Sequence, residues 1–121
     1  MCVRIRRTFT MTNEMIRKYA ILSGDFNEIH LDTKEAERYG FHAPIAHGML
    51  TMALVQNLAN DWIHKGMRIT HYEMKFLHPV YANQTIYVQA EAEESPEGHL
   101  SLLLTGQCAN KVVVKGKMII N

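Results

Sequence analysis

Between positions 23 and 30 the chain reads Ser23-Gly24-Asp25-Phe26-Asn27-Glu28-Ile29-His30, which packs a carboxylate, an amide and an imidazole beside a glycine break. An imidazole takes up or releases a proton near neutral pH. A carboxylate in a partly dry site has its pKa raised toward the same range. Asp25 and His30 can therefore place an acid, a base and a water around one small site. Asn27 has the donors and the acceptor to fix the loop or orient that water. Further on, His47-Gly48-Met49 opens a long apolar segment. The first amide N–H groups of a helix beginning at Gly48 have no partner inside it and lie at the positive end of its dipole. They would stabilise an oxygen that gains negative charge. Acid, base, water and oxyanion donor together suit proton abstraction next to a carbonyl, with addition or loss of water.

Each of these residues also has a plainer use. Asp or Asn beside Gly commonly serves turn geometry alone. A single histidine is commonly an ordinary core or surface residue, which is the reading given to His42, His64, His71, His78 and His99. His47 is read as structural, bonding either the helix start or the catalytic loop. His30, His42 and His47 fit no common zinc spacing and no cysteine joins them, so neither a metal nor a cofactor is expected.

The elements that must position this loop follow from periodicity and punctuation. Residues 1–10 alternate weakly and carry β-branched residues, as a strand does. Thr12 or Asn13 caps a helix in which Met15, Ile16, Tyr19, Ala20 and Leu22 share one apolar face, and Gly24 breaks it. Residues 25–31 read as loop. Asp32 with Glu35 three residues later resembles a capping box for a short helix that stops at Gly40. Residues 48–63 are apolar on most faces, which predicts one long, largely buried helix ended at Lys65-Gly66. Strands are then expected over 68–77, 85–93, 100–109 and 112–120 as a four-stranded antiparallel meander. Ser95-Pro96-Glu97-Gly98 forms a hairpin turn, Asn110-Lys111 joins the last two strands, and Gly106 marks a bulge. A sheet needs its apolar face covered, and the 48–63 helix is the obvious cover.

The bulk numbers narrow the class. A chain of 121 residues with 47% hydrophobic content reads as one globular domain, 1–121. A net charge of +1 gives no broad electrostatic footprint for nucleic acid. Arg4, Arg6 and Arg7 read as the solvent side of the first strand rather than as a phosphate-binding patch. Cys2 and Cys108 form no ligand pattern and fit reduced thiols. With neither a secretory leader nor a membrane-spanning run, a cytoplasmic protein is expected.

The run from Tyr19 through Ser23-Gly-Asp-Phe-Asn-Glu-Ile-His30 to Ala36 resembles the signature of the MaoC-like, or (R)-specific enoyl-CoA hydratase, family. Pro44-Ile-Ala-His-Gly-Met49 and Phe76-Leu-His-Pro-Val-Tyr81 are similar to that family as well, so the likeness spans most of the chain. One departure is Glu28, which stands where the family pattern has proline. The resemblance implies an α+β hot-dog fold, a curved antiparallel sheet wrapped around a long central helix, and a homodimer with acyl-thioester sites near the subunit interface. It implies Asp25 and His30 as the catalytic pair, Asn27 as their support, and the Gly48 N–H as the donor to the thioester carbonyl. The implied reaction is hydration of a trans-2-enoyl thioester, or the reverse dehydration, on coenzyme A or an acyl carrier protein. Met49, Met52 and Gln56 are expected to wall the substrate pocket. A hot-dog acyl-CoA thioesterase and a non-catalytic acyl-thioester-binding module are the competing readings.

Overall fold

The computed structural model describes residues 2–121, with the main chain alone for Cys2. Strand β1 (Cys2–Thr10) leads into α1 (Asn13–Ser23). The Thr12 hydroxyl accepts from Met15 N–H at 3.1 Å, closing the helix start as the sequence indicates. Gly24, at φ 76°, ends the helix in the left-handed conformation that glycine adopts without cost. A 3-10 turn (Glu28–His30) and α2 (Thr33–Arg38) follow, the latter capped by Asp32, whose carboxylate accepts from Lys34 N–H at 2.8 Å. Glu35 does not complete the expected capping box and pairs with Arg38 at 3.0 Å instead.

The long apolar segment is not one uninterrupted helix. It runs as α3 (Gly48–Val55), a 3-10 turn (Gln56–Ala59) and α4 (Asn60–His64). The break falls one turn after Met52, whose carbonyl accepts the Tyr72 hydroxyl at 2.7 Å. That carbonyl also accepts from Gln56 N–H, so the Tyr72 hydroxyl shares it with the last turn of α3. Burial pushes the Tyr72 hydroxyl up to about 12, so it keeps its proton and its bond through the neutral range. Nor is the segment buried all round within one subunit. Leu50, Thr51, Val55, Leu58 and Ala59 face the core, while Met49, Ala53, Gln56 and Asn57 face outward.

Strands β2 (Ile69–Phe76), β3 (Thr85–Glu94), β4 (Leu100–Cys108) and β5 (Lys111–Ile120) join β1 in one antiparallel sheet of order β1-β3-β4-β5-β2. The expected four-strand meander therefore holds only for β3, β4 and β5. From β2 the chain crosses the end of the sheet: Leu77 N–H bonds Val113 O at 2.7 Å, Ala46 N–H bonds Val80 O at 2.8 Å, and Met11 N–H bonds Gln84 O at 2.8 Å. This crossing leaves β2 on the far edge against β5 and gives the free edge of β3 to β1. The β3–β4 turn lies at Ser95–Gly98 as expected, with Gly98 N–H on Ser95 O at 3.0 Å. The β4–β5 turn centres one residue earlier than expected, on Ala109 (φ 50°) and Asn110 (φ 63°), the paired left-handed conformations of a tight hairpin. Gly106 stands where the β4–β5 register shifts, as expected of a bulge.

One face of the sheet carries Ile86, Val88, Ala90, Leu102, Leu104, Met118 and Ile120, all buried, and this face packs with Val55, Leu58 and Ala59 of the central helical segment. A helical segment thus covers the apolar face of an antiparallel sheet, the hot-dog architecture. The other face is polar, and Arg4 there pairs with Glu91 at 3.4 Å. Cys108 is a free, buried thiol. Among the described residues no helix is long and apolar enough to cross a membrane.

The β2–β5 ladder sets a stringent test of this packing. A Cβ on Gly116 would lie 2.6 Å from the main-chain oxygen of Glu73. Backbone on a paired strand cannot retreat as a side-chain tip can. Gly116→Ala should lower stability by roughly 1–3 kcal/mol, read as a fall in the urea midpoint at constant slope. An unchanged midpoint would mean that the β2 edge shifts freely.

Candidate active site

Three successive bonds from a side chain to the backbone two residues on shape the loop after α1. Ser23 Oγ accepts from Asp25 N–H at 3.2 Å, Asp25 Oδ1 from Asn27 N–H at 3.1 Å, and Asn27 Oδ1 from Ile29 N–H at 3.2 Å. Ser, Asp and Asn are the residues that make such turns. Asn27 in this way caps the 3-10 turn that presents His30. One carboxylate oxygen of Asp25 is engaged within the loop, and the other faces His30.

The second tie is between loop and sheet end. Ile45 N–H bonds Ile29 O at 3.1 Å, and His30 Nδ1–H donates to Ile45 O at 2.7 Å. A carbonyl only accepts, so Nδ1 carries the proton and, in the neutral ring, Nε2 has a bare lone pair. That atom lies 4.0 Å from Asp25 Oδ2. This separation is too long for a direct hydrogen bond, yet one water oxygen can lie at about 2.8 Å from both. His30 is buried while the Asp25 side chain is half exposed. Burial pushes the His30 imidazolium below its ordinary value of 6.5, against the opposing pull of the Ile45 carbonyl. Neighbouring His47 lowers it further and Asp25 raises it. His30 is therefore a neutral acceptor at pH 7.

His47 completes the arrangement. Its Nε2–H donates to the Asp25 carbonyl at 3.1 Å, and its ring stacks on His30 with centroids 3.8 Å apart and 27° between planes. Tyr19 meets its edge at 4.9 Å. The sequence reading left open whether His47 bonds the helix start or the loop; it bonds the loop. Its Nδ1 is buried and makes no hydrogen bond.

His47 is also the residue before α3, and no side chain caps that helix start, unlike those of α1 and α2. The amides of its first turn remain open. Gly48 and His30 both line a cavity of about 330 Å³ whose walls include Phe41, Thr51, Phe76 and Val80. A Cβ on Gly48 would meet the Phe76 ring at 3.2 Å, so glycine leaves the space beside the open amides clear. Asp25 reaches His30 from outside this cavity's lining. Met49, Met52 and Gln56 do not line it either. The α3 turn presents Gly48 and Thr51 inward and leaves Met49 63% exposed. The segment Phe76–Val80 supplies the wall that the expected residues do not. Its only sequence signal was its likeness to the family pattern, which gave it no role.

Asp25, His30 and His47 are also the group of described residues whose ligand atoms come close enough for a cation, all within 4.8 Å of one another. Each histidine already holds a main-chain carbonyl through one ring nitrogen. A neutral acceptor and open amides on a small cavity, with a carboxylate 4.0 Å behind the acceptor, can bind a carbonyl compound, polarise it and move a proton through water.

A family model described as "MaoC like domain" matches residues 1–107. The fatty acid synthase beta subunit TOXC of Cochliobolus carbonum is 36% identical over 86 residues, 69% of this chain but 4% of that protein. The mitochondrial 3-hydroxyacyl-[acyl-carrier-protein] dehydratase of Arabidopsis thaliana is 25% identical over 111 residues, 92% of this chain and 60% of that protein. The chain thus spans less than two thirds of either protein's length. The (R)-specific enoyl-CoA hydratase of Aeromonas caviae is 28% identical over 110 residues, covering 87% of this chain and 81% of that one. A solved (R)-hydratase structure from A. caviae superposes with a TM-score of 0.89 at 24% identity, covering 98% of this chain and 93% of that one, and so shares the fold.

The loop geometry also accounts for Glu28. It is the first residue of the 3-10 turn, where an N–H has no partner within the turn. Asn27 before it has φ −56° and ψ 126°, the extended backbone of a residue that precedes proline. Three side-chain bonds hold the loop in place of a proline ring. Glu28→Pro should therefore stabilise the protein by about 0.4–1 kcal/mol through the unfolded chain. The check is the thermal midpoint, and a fall would contradict this account of the loop.

Proposed function

The chain belongs to the MaoC-like domain family, and we propose that it is a hydro-lyase on acyl thioesters. It adds water to a trans-2-enoyl thioester, or removes it from an (R)-3-hydroxyacyl thioester, in fatty acid metabolism. The observation that carries this reading is the 4.0 Å approach of Asp25 Oδ2 to His30 Nε2, with His30 and the open helix start at Gly48 on one cavity. Relatives that act as hydratases and dehydratases support the same reaction class.

In this reading the thioester carbonyl oxygen accepts from the N–H of Gly48. Water held between Asp25 and His30 adds its oxygen to C3 and gives up one proton to the pair. As the C2–C3 double bond is consumed, enolate-like charge builds on the thioester oxygen, where the amide and the dipole of α3 stabilise it. The pair returns one proton to C2, so one water is consumed and both residues end in their starting states. Dehydration is the same path reversed. Acid and base labels swap with direction and belong to the pair. Asn27 positions Asp25 by fixing the loop.

The chain 1–121 acts as a single domain in this proposal and pairs with a second copy. Leu22 (85% exposed), Phe26 (57%) and Met49 (63%) leave the side of the site where Asp25 lies uncovered in one subunit. Exposed large apolar side chains beside a site are the kind of surface a second subunit covers. Met49 and Met52 of α3 and Gln56 of the 3-10 turn after it, exposed or half-buried, are proposed to reach the acyl chain at such an interface.

Asp25→Asn and His30→Ala should each lower kcat on crotonyl-CoA by about 10²–10⁴-fold while leaving the circular dichroism spectrum and oligomeric state unchanged. Near-normal turnover in both variants would refute the assignment, and release of free thiol would instead indicate a thioesterase. The pH profile supplies a second check. Because the His30 pKa is depressed, the neutral acceptor persists as pH falls through 6.5. The acid limb of kcat/KM for hydration should therefore lie below 6.5. A limb above that value would remove His30 as the acceptor.

A further inference from the structure

The catalytic cavity has a neighbour. A groove of about 350 Å³, lined by His42, Tyr81, Gln84 and Lys111 with Cys108 buried on one wall, shares His78 and Pro79 with it. We propose that this groove holds the phosphate at the end of the pantetheine arm that carries the acyl group, with Lys111 as its charged contact. The inference rests on the acyl-thioester reading and adds the part of the substrate that lies outside the reacting centre.

The chemistry of the lining favours an anion. Lys111 brings a full positive charge, and His42, His78 and Tyr81 bring ring N–H and hydroxyl donors. Gln84 Oε1 accepts from Tyr81 N–H at 2.9 Å, which leaves its amide protons free. No carboxylate is among the described lining residues. The walls are fixed before any ligand arrives. His42 stacks on Tyr81 with centroids 3.8 Å apart and 21° between planes, and Ala82 N–H bonds Pro44 O at 3.0 Å. The left-handed turn at Ala109 and Asn110 places Lys111 at the rim as β5 begins.

Position selects this groove over the other cationic ones. The groove with Arg6, Arg7 and Gln89 and the one with Lys75, Lys115 and Lys117 open on the polar outer face of the sheet, with the sheet between them and the core. A third, with Arg4 and Lys65, lies beside α4. None shares a described lining residue with the catalytic cavity. An arm whose carbonyl oxygen sits at Gly48 can pass over His78 and Pro79 and reach Lys111.

Coenzyme A and a carrier protein both present a phosphate at that place on the arm, so the test uses crotonyl thioesters of pantetheine, 4′-phosphopantetheine and coenzyme A. The wild-type protein should prefer the two phosphorylated substrates. Lys111→Ala should lower that preference about tenfold, through KM, and Lys111→Arg should retain it. Lys115→Ala, on the outer face, serves as the control and should keep the wild-type preference. A larger loss for coenzyme A than for phosphopantetheine identifies the nucleotide-bearing substrate, and equal losses on these two identify the 4′-phosphate that coenzyme A and the carrier-protein arm share. A preference that survives Lys111→Ala, or an equal loss on all three substrates, overturns the proposal. Calorimetric binding of free coenzyme A reads the groove independently of turnover. Weaker binding to Lys111→Ala than to wild type supports the groove even if no thioester is hydrated, in which case only the hydratase reading falls. Equal binding overturns the groove.

Discussion

Two imidazoles clasp the site by bonding each other's chain segment. His30, on the loop after α1, donates to the carbonyl of Ile45, two residues before His47. His47, at the start of α3, donates back to the carbonyl of Asp25, five residues before His30. The rings stack between these bonds. Each carbonyl can only accept, so each neutral ring is held with its proton on a defined nitrogen. The aim of the Asp25 carboxylate, the bare Nε2 of His30 and the nearness of both to the helix start all depend on this reciprocal arrangement. Burial then disfavours the charged ring, so His30 stands neutral with Nε2 free at pH 7.

Chemistry encoded within a few consecutive residues was legible before any coordinates. Ser23, Asp25 and Asn27 are turn formers at spacing two, and the three bonds they make are local, so the loop and its two titratable groups could be read together. Gly48 was legible as an unhindered helix start for the same reason. What escaped the reading was set by distant partners. His47 could be given a structural role but not its bond to Asp25, because that bond joins segments 22 residues apart. His42 and His78 look ordinary in isolation, and they share a groove only because the crossing from β2 to β3 brings both to one end of the sheet.

The same division runs through the fold. Strand positions and the Ser95–Gly98 turn follow from alternation and punctuation. The strand order does not, since β2 passes over its sequence neighbour to pair with β5. The bond that ties the central helical segment to β2 comes from Tyr72, twenty residues beyond the Met52 carbonyl it reaches. The wall of the cavity within one subunit was hidden for a related reason. Met49 and Met52 are apolar residues beside the oxyanion glycine, yet a helix turns about 100° per residue, so the space beside Gly48 falls to Thr51 and to Phe76 from the sheet side.

The crossover has a kinetic consequence. Cys2 must find Glu93 and Ile69 must find Ile120, so both outer strands close long loops of chain before their ladders reward the search. The β3–β4–β5 ribbon, built from short hairpins, has no such burden. Chains dominated by remote pairings refold in roughly milliseconds to seconds rather than microseconds. Here the two rims carry the larger loop-closure cost, and the ribbon between them the smaller. The imidazole clasp lies wholly in the chain between β1 and β2, so the catalytic loop is strung between the two strands that pair most remotely.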